Sequence, residues 1–186
     1  MDGQLSFLYF LTRKCCTLDP KQFTFQNPKY NDVLDNVLSK VTEEMNLELE
    51  NVQVKINKLL LYQENADDDG LVFENKNTKY EEGHFATLVM QLPSVFKGHE
   101  LIVYSDGKVP KEIKFDISES QYEIIYAAFY NTCQYKMTPL KEGYQMVVLY
   151  DLFWVGDCPP PNDQKVEQNI QKVSHLIEKV HTIIDQ

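Results

Sequence analysis

The sequence predicts a mainly β domain with flanking helices, and three observations predict it. Five short runs rich in β-branched and aromatic residues follow one another between Phe85 and Leu152, separated by turn signals. That spacing belongs to a sandwich or barrel rather than to alternating parallel βα units. A helical period precedes these runs and another follows them. The chain has 186 residues, 43% hydrophobic and 12% aromatic, which is enough for one sizeable core, so residues 1–186 are read as a single domain.

The elements follow in order. Leu5 to Leu11 is apolar but short, has no basic run before it, and leads into Arg13 and Lys14 rather than a small-residue cleavage site. It is read as the first strand. Asn27 and Pro28 form a helix start, and Val33, Leu34, Val37, Leu38, Val41 and Met45 repeat at helical spacing, so a helix is expected over about residues 28–46. Val52, Val54 and Ile56 alternate, and Leu59 to Leu61 are continuously apolar. This is a strand that becomes buried toward its end, before a polar turn from Gln63 to Gly70. The β-rich runs are Phe85 to Leu92, Leu101 to Tyr104, Glu112 to Phe115, Tyr122 to Phe129 and Tyr144 to Leu152. Pro159 to Pro161 stop the sheet. Val166, Ile170, Val173, Ile177, Val180 and Ile184 then keep a period of three to four, which predicts a closing helix over about residues 162–184, packed on the outside of the sheet.

Charge and cysteine content exclude whole classes of function. Twenty-eight acidic against 18 basic side chains leave a net charge of −10. Nucleic-acid affinity comes largely from counterion release by Lys and Arg, and no basic run exists here. An anionic membrane surface is disfavoured for the same reason, and no segment approaches the roughly 20 apolar residues of a membrane span. Cys15, Cys16, Cys133 and Cys158 lack metal-ligand spacing. Free thiols in a reducing compartment are expected, hence a cytoplasmic or nuclear protein.

One stretch carries a specific comparison. Gly83-His-Phe-Ala-Thr-Leu-Val-Met-Gln-Leu-Pro-Ser94, with Gly98-His-Glu-Leu101 and Ala128-Phe-Tyr-Asn-Thr-Cys133, resembles the iron(II)/2-oxoglutarate oxygenases, in the branch similar to the prolyl 4-hydroxylase catalytic domain. Thr17 to Phe23, Lys58 to Tyr62, Gly143-Tyr144 and Tyr150 to Leu152 also look like that branch. The resemblance implies a double-stranded β-helix, a jelly roll with helices on one side. It also implies iron held by two histidines and one carboxylate, with open positions for 2-oxoglutarate and oxygen.

On that resemblance the ligand positions have changed. The His-x-Asp pair falls on Asn75 and Asn77, the third histidine on Tyr135, and the basic residue for the far carboxylate of 2-oxoglutarate on Gln145. Asparagine offers a neutral amide and tyrosine a phenol with a pKa near 10, so neither iron nor cosubstrate is expected to bind. Tyr62, Thr87 and Cys133 are candidate lining of the remaining pocket. Rescue from elsewhere is not expected. His84 has no carboxylate two places on, and His99 replaces a turn glycine, so both are read as ordinary surface or strand histidines. His175 and His181 are six apart and share no helix face. Asp67 to Asp69 read as a solvated loop, Cys133 as a buried structural thiol, and Ser94 lacks a nucleophile elbow.

The expected function is therefore binding: a non-catalytic, oxygenase-like domain that holds an unknown protein or a small polar ligand, or that pairs with an active oxygenase or competes for its substrate. The alternative is an active iron(II)/2-oxoglutarate-dependent dioxygenase, prolyl hydroxylase-like, with a metal site of other residues. On either reading the −10 charge is expected on loops and surface, and the centre of the barrel is expected to be nearly neutral.

Overall fold

The computed structural model describes residues 15–64, 81–104, 110–113, 115, 122–157 and 180–181. Within them lie ten strands and one α-helix: β1 Cys15–Leu18, α1 Tyr30–Glu44, β2 Val52–Gln63, β3 His84–Leu92, β4 Phe96–Gly98, β5 Leu101–Tyr104, β6 Lys111–Ile113, β7 Glu123–Tyr130, β8 Gln134–Met137, β9 Leu140–Trp154 and β10 Val180–His181. All strand pairs are antiparallel. The larger sheet has the order β1-β2-β9-β3-β7-β10, with β4 on the start of β9, and the smaller has the order β6-β5-β8. The fold is mainly β, as the strand spacing predicts.

The backbone of the sheet is β9, which pairs with β2 along one side and with β3 along the other. Side chains alternate across a strand, so the register assigns its two faces. Val148, Tyr150 and Leu152 face α1, a direction fixed by the Tyr30 and Tyr150 hydroxyls, which hydrogen-bond at 2.6 Å. Gln145, Val147, Leu149 and Asp151 face the other way. On that inner face Tyr62 lies opposite Gln145, Gln91 opposite Val147, and Thr87 opposite both Asp151 and Phe129. The smaller sheet reaches this face through Tyr135, whose ring centroid is 4.8 Å from that of Phe129. Covered on both sides, β7 is buried at every residue.

α1 buries the stripe that the sequence marks. Val37, Leu38, Val41 and Met45 join the same core as Leu88, Val148 and Tyr150. The helix begins at Tyr30, two residues after Pro28, because the Asn27 side chain accepts the Lys29 N–H at 2.9 Å and holds a turn there.

Some expectations are corrected. β9 runs from Leu140 to Trp154, longer than Tyr144 to Leu152, because its first residues pair with β4. β4 and β8 were not expected; they are three and four residues long, too short to show alternation. The expected closing helix lies outside the described residues except at Val180 and His181, where it is replaced by a strand pairing with Ile124 and Glu123. β7 would otherwise present an open edge there, and its backbone groups need a partner. The expected strand at Leu5 to Leu11 and the acidic run Asp67 to Asp69 lie outside the described residues. Among the described residues no helix is long and apolar enough to cross a membrane.

Candidate functional site

The inner face of the larger sheet carries the site, in two rows. Gln145 and Tyr62, neighbours across β9 and β2, make the first. Both are buried, Gln145 completely. Above them sits His99, from the connection between β4 and β5, at 0% exposure. Its backbone has φ 61°, the left-handed region that a non-glycine residue enters at a cost. Its Nδ1 hydrogen-bonds Gln145 Oε1, and its ring meets Tyr62 edge-on with centroids 4.2 Å apart. An amide oxygen only accepts, so Nδ1 carries the proton and Nε2 presents a lone pair. Burial pushes the His99 pKa below its ordinary value, partly offset by the bond to Gln145, so the ring is neutral. Among the described residues, His99 Nε2 and Gln145 Nε2 have no hydrogen-bond partner.

The second row lies toward the other end of β9, six residues and about 20 Å along the strand. Asp151, Thr87 and Phe129 stand side by side on β9, β3 and β7, with Tyr135 against Phe129. The Asn57 amide donates to Asp151 Oδ2 at 2.7 Å. Asn57 reaches it because it is the extra residue of a bulge between Ile56 and Lys58. His84, at the start of β3, places Nε2 3.5 Å from Asp151 Oδ1 and 3.0 Å from the Ala86 carbonyl oxygen. Its ring stacks on Phe153, centroids 5.1 Å apart.

The sequence-predicted positions therefore separate. Gln145 and Tyr62 come together in the first row; Thr87 and Tyr135 meet through Phe129 in the second. Cys133 is buried just after β7, and its backbone N–H donates to the Tyr130 carbonyl at 2.9 Å. Asn75 and Asn77 lie outside the described residues.

Sequence reasoning missed three members. His99 is not a surface histidine but a buried one, and the signal was a bulky residue where a turn takes two glycines. Asp151 was legible by counting: it is an even number of residues from Gln145 and so shares its face. Asn57 could not be found without the bulge. Tyr62, His99 and Gln145 carry no formal charge on this face. Two carboxylates share the face as well: Glu123, 2% exposed at the start of β7 on the side of Gln91, and Asp151, whose side chain is 21% exposed.

Of the positions that the resemblance assigns to iron and 2-oxoglutarate, Tyr135 and Gln145 fall among the described residues. At the position implied for the third ligand a phenol packs on Phe129. At the position implied for the cosubstrate clamp the amide oxygen is taken by His99. Among the described residues no group of three or more His, Cys, Asp or Glu side chains is placed to hold a metal ion.

In structure the chain is similar to 2-oxoglutarate/iron(II) oxygenases. An oxidoreductase of the 2OG-Fe(II) oxygenase family from Burkholderia pseudomallei aligns at 9% identity with a TM-score of 0.46, over 70% of this chain and 60% of its own. A Pseudomonas putida prolyl-4-hydroxylase aligns at 12% identity and TM-score 0.46, over 76% of this chain and 72% of its own. The viral collagen prolyl hydroxylase of Paramecium bursaria Chlorella virus-1, in its 2OG complex, aligns at 14% identity and TM-score 0.38, over 76% and 79%. The matched region thus spans less than two thirds of the first of these proteins. No family profile matches the sequence, and no curated protein matches it.

Proposed function

We propose that the chain is a degenerate oxygenase-like domain that does not turn over 2-oxoglutarate and works as a binding or regulatory module. One observation carries the reading. The position that the motif resemblance assigns to the cosubstrate's carboxylate is Gln145, and its amide oxygen is engaged by the chain's own His99, which also packs on Tyr62. A neutral amide already engaged by a neutral imidazole offers a carboxylate no charge, whereas a charge-assisted clamp is about twice as strong as a neutral contact. The natural partners are an unknown protein, a small polar ligand, or an active oxygenase or its substrate.

The test is direct. The purified chain is incubated with iron(II), ascorbate and 2-oxoglutarate, and succinate is measured; the expected yield equals the protein-free blank. Enzyme-dependent succinate would overturn the reading in favour of an active prolyl hydroxylase-like dioxygenase. Placement of the cosubstrate position is tested by gain rather than loss. His99→Gly combined with Gln145→Arg should give measurable 2-oxoglutarate binding by calorimetry where the parent shows none, and no gain would remove the support that His99 provides.

A further inference from the structure

We propose that His84 Nε2, Asp151 Oδ1 and the Ala86 carbonyl oxygen form a site for one divalent cation of the zinc, nickel or cobalt class. The site lies in the second row of the inner face and uses none of the positions that the resemblance assigns to iron.

Spacing is the first argument. His84 Nε2 is 3.5 Å from Asp151 Oδ1 and 3.0 Å from the Ala86 oxygen. Metal bonds to imidazole nitrogen and to oxygen are about 2.0–2.2 Å, so neighbouring donors on one ion stand about 2.8–3.6 Å apart at octahedral or tetrahedral angles. One imidazole, one carboxylate and one carbonyl form a set suited to borderline divalent ions rather than to calcium or magnesium.

The surroundings supply the second. A ligating carboxylate is ordinarily oriented by an outer hydrogen bond, and Asn57 already donates one to the other oxygen of Asp151 at 2.7 Å. Positive charge is also missing where the sheet would supply it. Lys55 lies opposite Asp151 in the register, yet its ammonium pairs with Glu81 at 3.1 Å and sits 4.0 Å above the Phe153 ring. Among the described residues, the His84 imidazole is the one basic side chain within 4 Å of Asp151 in the ion-pair geometry, at 3.5 Å. The Asp151 side chain is 21% exposed and that of His84 8%, so the site meets solvent and water can complete the shell. Two protein side chains make it weaker than a structural zinc site.

The competing account is that His84 Nε2–H is shared between Asp151 and the carbonyl, with no ion. The two differ in the proton: a metal takes the Nε2 lone pair, whereas the hydrogen-bonded account keeps a proton on Nε2. The untagged full chain, stripped with chelator, is titrated with zinc chloride by calorimetry. One equivalent is expected at pH 7.5, with affinity about 10- to 100-fold lower in Asn57→Ala. Absence of one-to-one uptake at pH 7.5, or equal affinity in Asp151→Asn, would overturn the proposal. Because these variants disturb the sheet, the unaltered chain is also given cobalt(II). Paramagnetic broadening centred on the amides of Thr87 and Leu152 is expected, and broadening centred elsewhere counts against the site. The non-catalytic reading does not depend on this result, since succinate release tests it separately.

Discussion

The fully buried His99 makes stability depend on pH in a direction that can be worked out. An unfolded histidine takes up its proton near pH 6.5, and the buried ring takes it up only at lower pH. Between those values the unfolded chain binds more protons, so stability falls as pH drops below about 6.5, at up to about 1.4 kcal/mol per pH unit. Urea unfolding measured from pH 7.5 to 5 should show this loss. His99→Asn keeps a residue that tolerates positive φ and removes the titrating group; it should be less stable at pH 7.5, yet show a flatter profile below 6.5. A profile of unchanged slope would place the titration elsewhere. A second residue-scale test concerns the Tyr30 and Tyr150 hydroxyls, whose pKa values are both raised, chiefly by burial. Tyr150→Phe leaves the buried Tyr30 hydroxyl without this partner and should cost about 1–3 kcal/mol in the urea midpoint.

At the scale of elements, β9 decides most of the geometry, and a glycine decides how it starts. Gly143 has φ 82°, and a Cβ there would lie 2.1 Å from the Val95 carbonyl oxygen. That approach is the pairing of Phe96 with Gly143, continued by the Tyr144 N–H on Val95 at 3.1 Å. Gly143→Ala combines a left-handed alanine with a backbone clash, and should cost at least about 2 kcal/mol, read as a lower thermal midpoint. The elements also show what a single sequence reveals. β5 was legible to the residue, and β2, β3 and β7 to within one or two, because each is long or apolar enough to display its period. β4 was not, since Phe96-Lys-Gly98 has no pattern of its own and pairs only because Gly143 lets two backbones meet. The candidate site divides in the same way. Flanking motifs single out Gln145 and Tyr135 on the resemblance alone, whereas Asp151, which the sequence reading missed, shares the face of Gln145 by period two. The His84 and Asp151 juxtaposition depends on bulges in β2 and β3, which no local signal announces.

For the whole molecule, the charge of −10 and the ion pairs act in opposite directions, and their magnitudes decide the response to salt. A compact chain holds its excess negative charge closer together than an unfolded one, so self-repulsion opposes folding and screening relieves it. Salt also weakens attractive pairs. Lys55 with Glu81 and Lys97 with Glu142 are Lys–carboxylate pairs of this kind, all with side chains at least half exposed. Exposed pairs contribute roughly 0–1 kcal/mol each, so screening both removes little. Ten unbalanced charges on a domain of this size interact over distances comparable to the Debye length, about 30 Å at 0.01 M and 10 Å at 0.1 M. The repulsive part is therefore the larger, and moderate sodium chloride should stabilise the fold. The thermal midpoint at pH 7.5 is expected to rise between 0.01 and 0.3 M salt, and charge-neutral osmolytes used as controls should not reproduce the same concentration dependence. A midpoint that falls would mean that attractive pairs outweigh the net charge, and would redirect attention to the carboxylates on the inner face, Glu123 and Asp151, as anchors whose partners salt displaces.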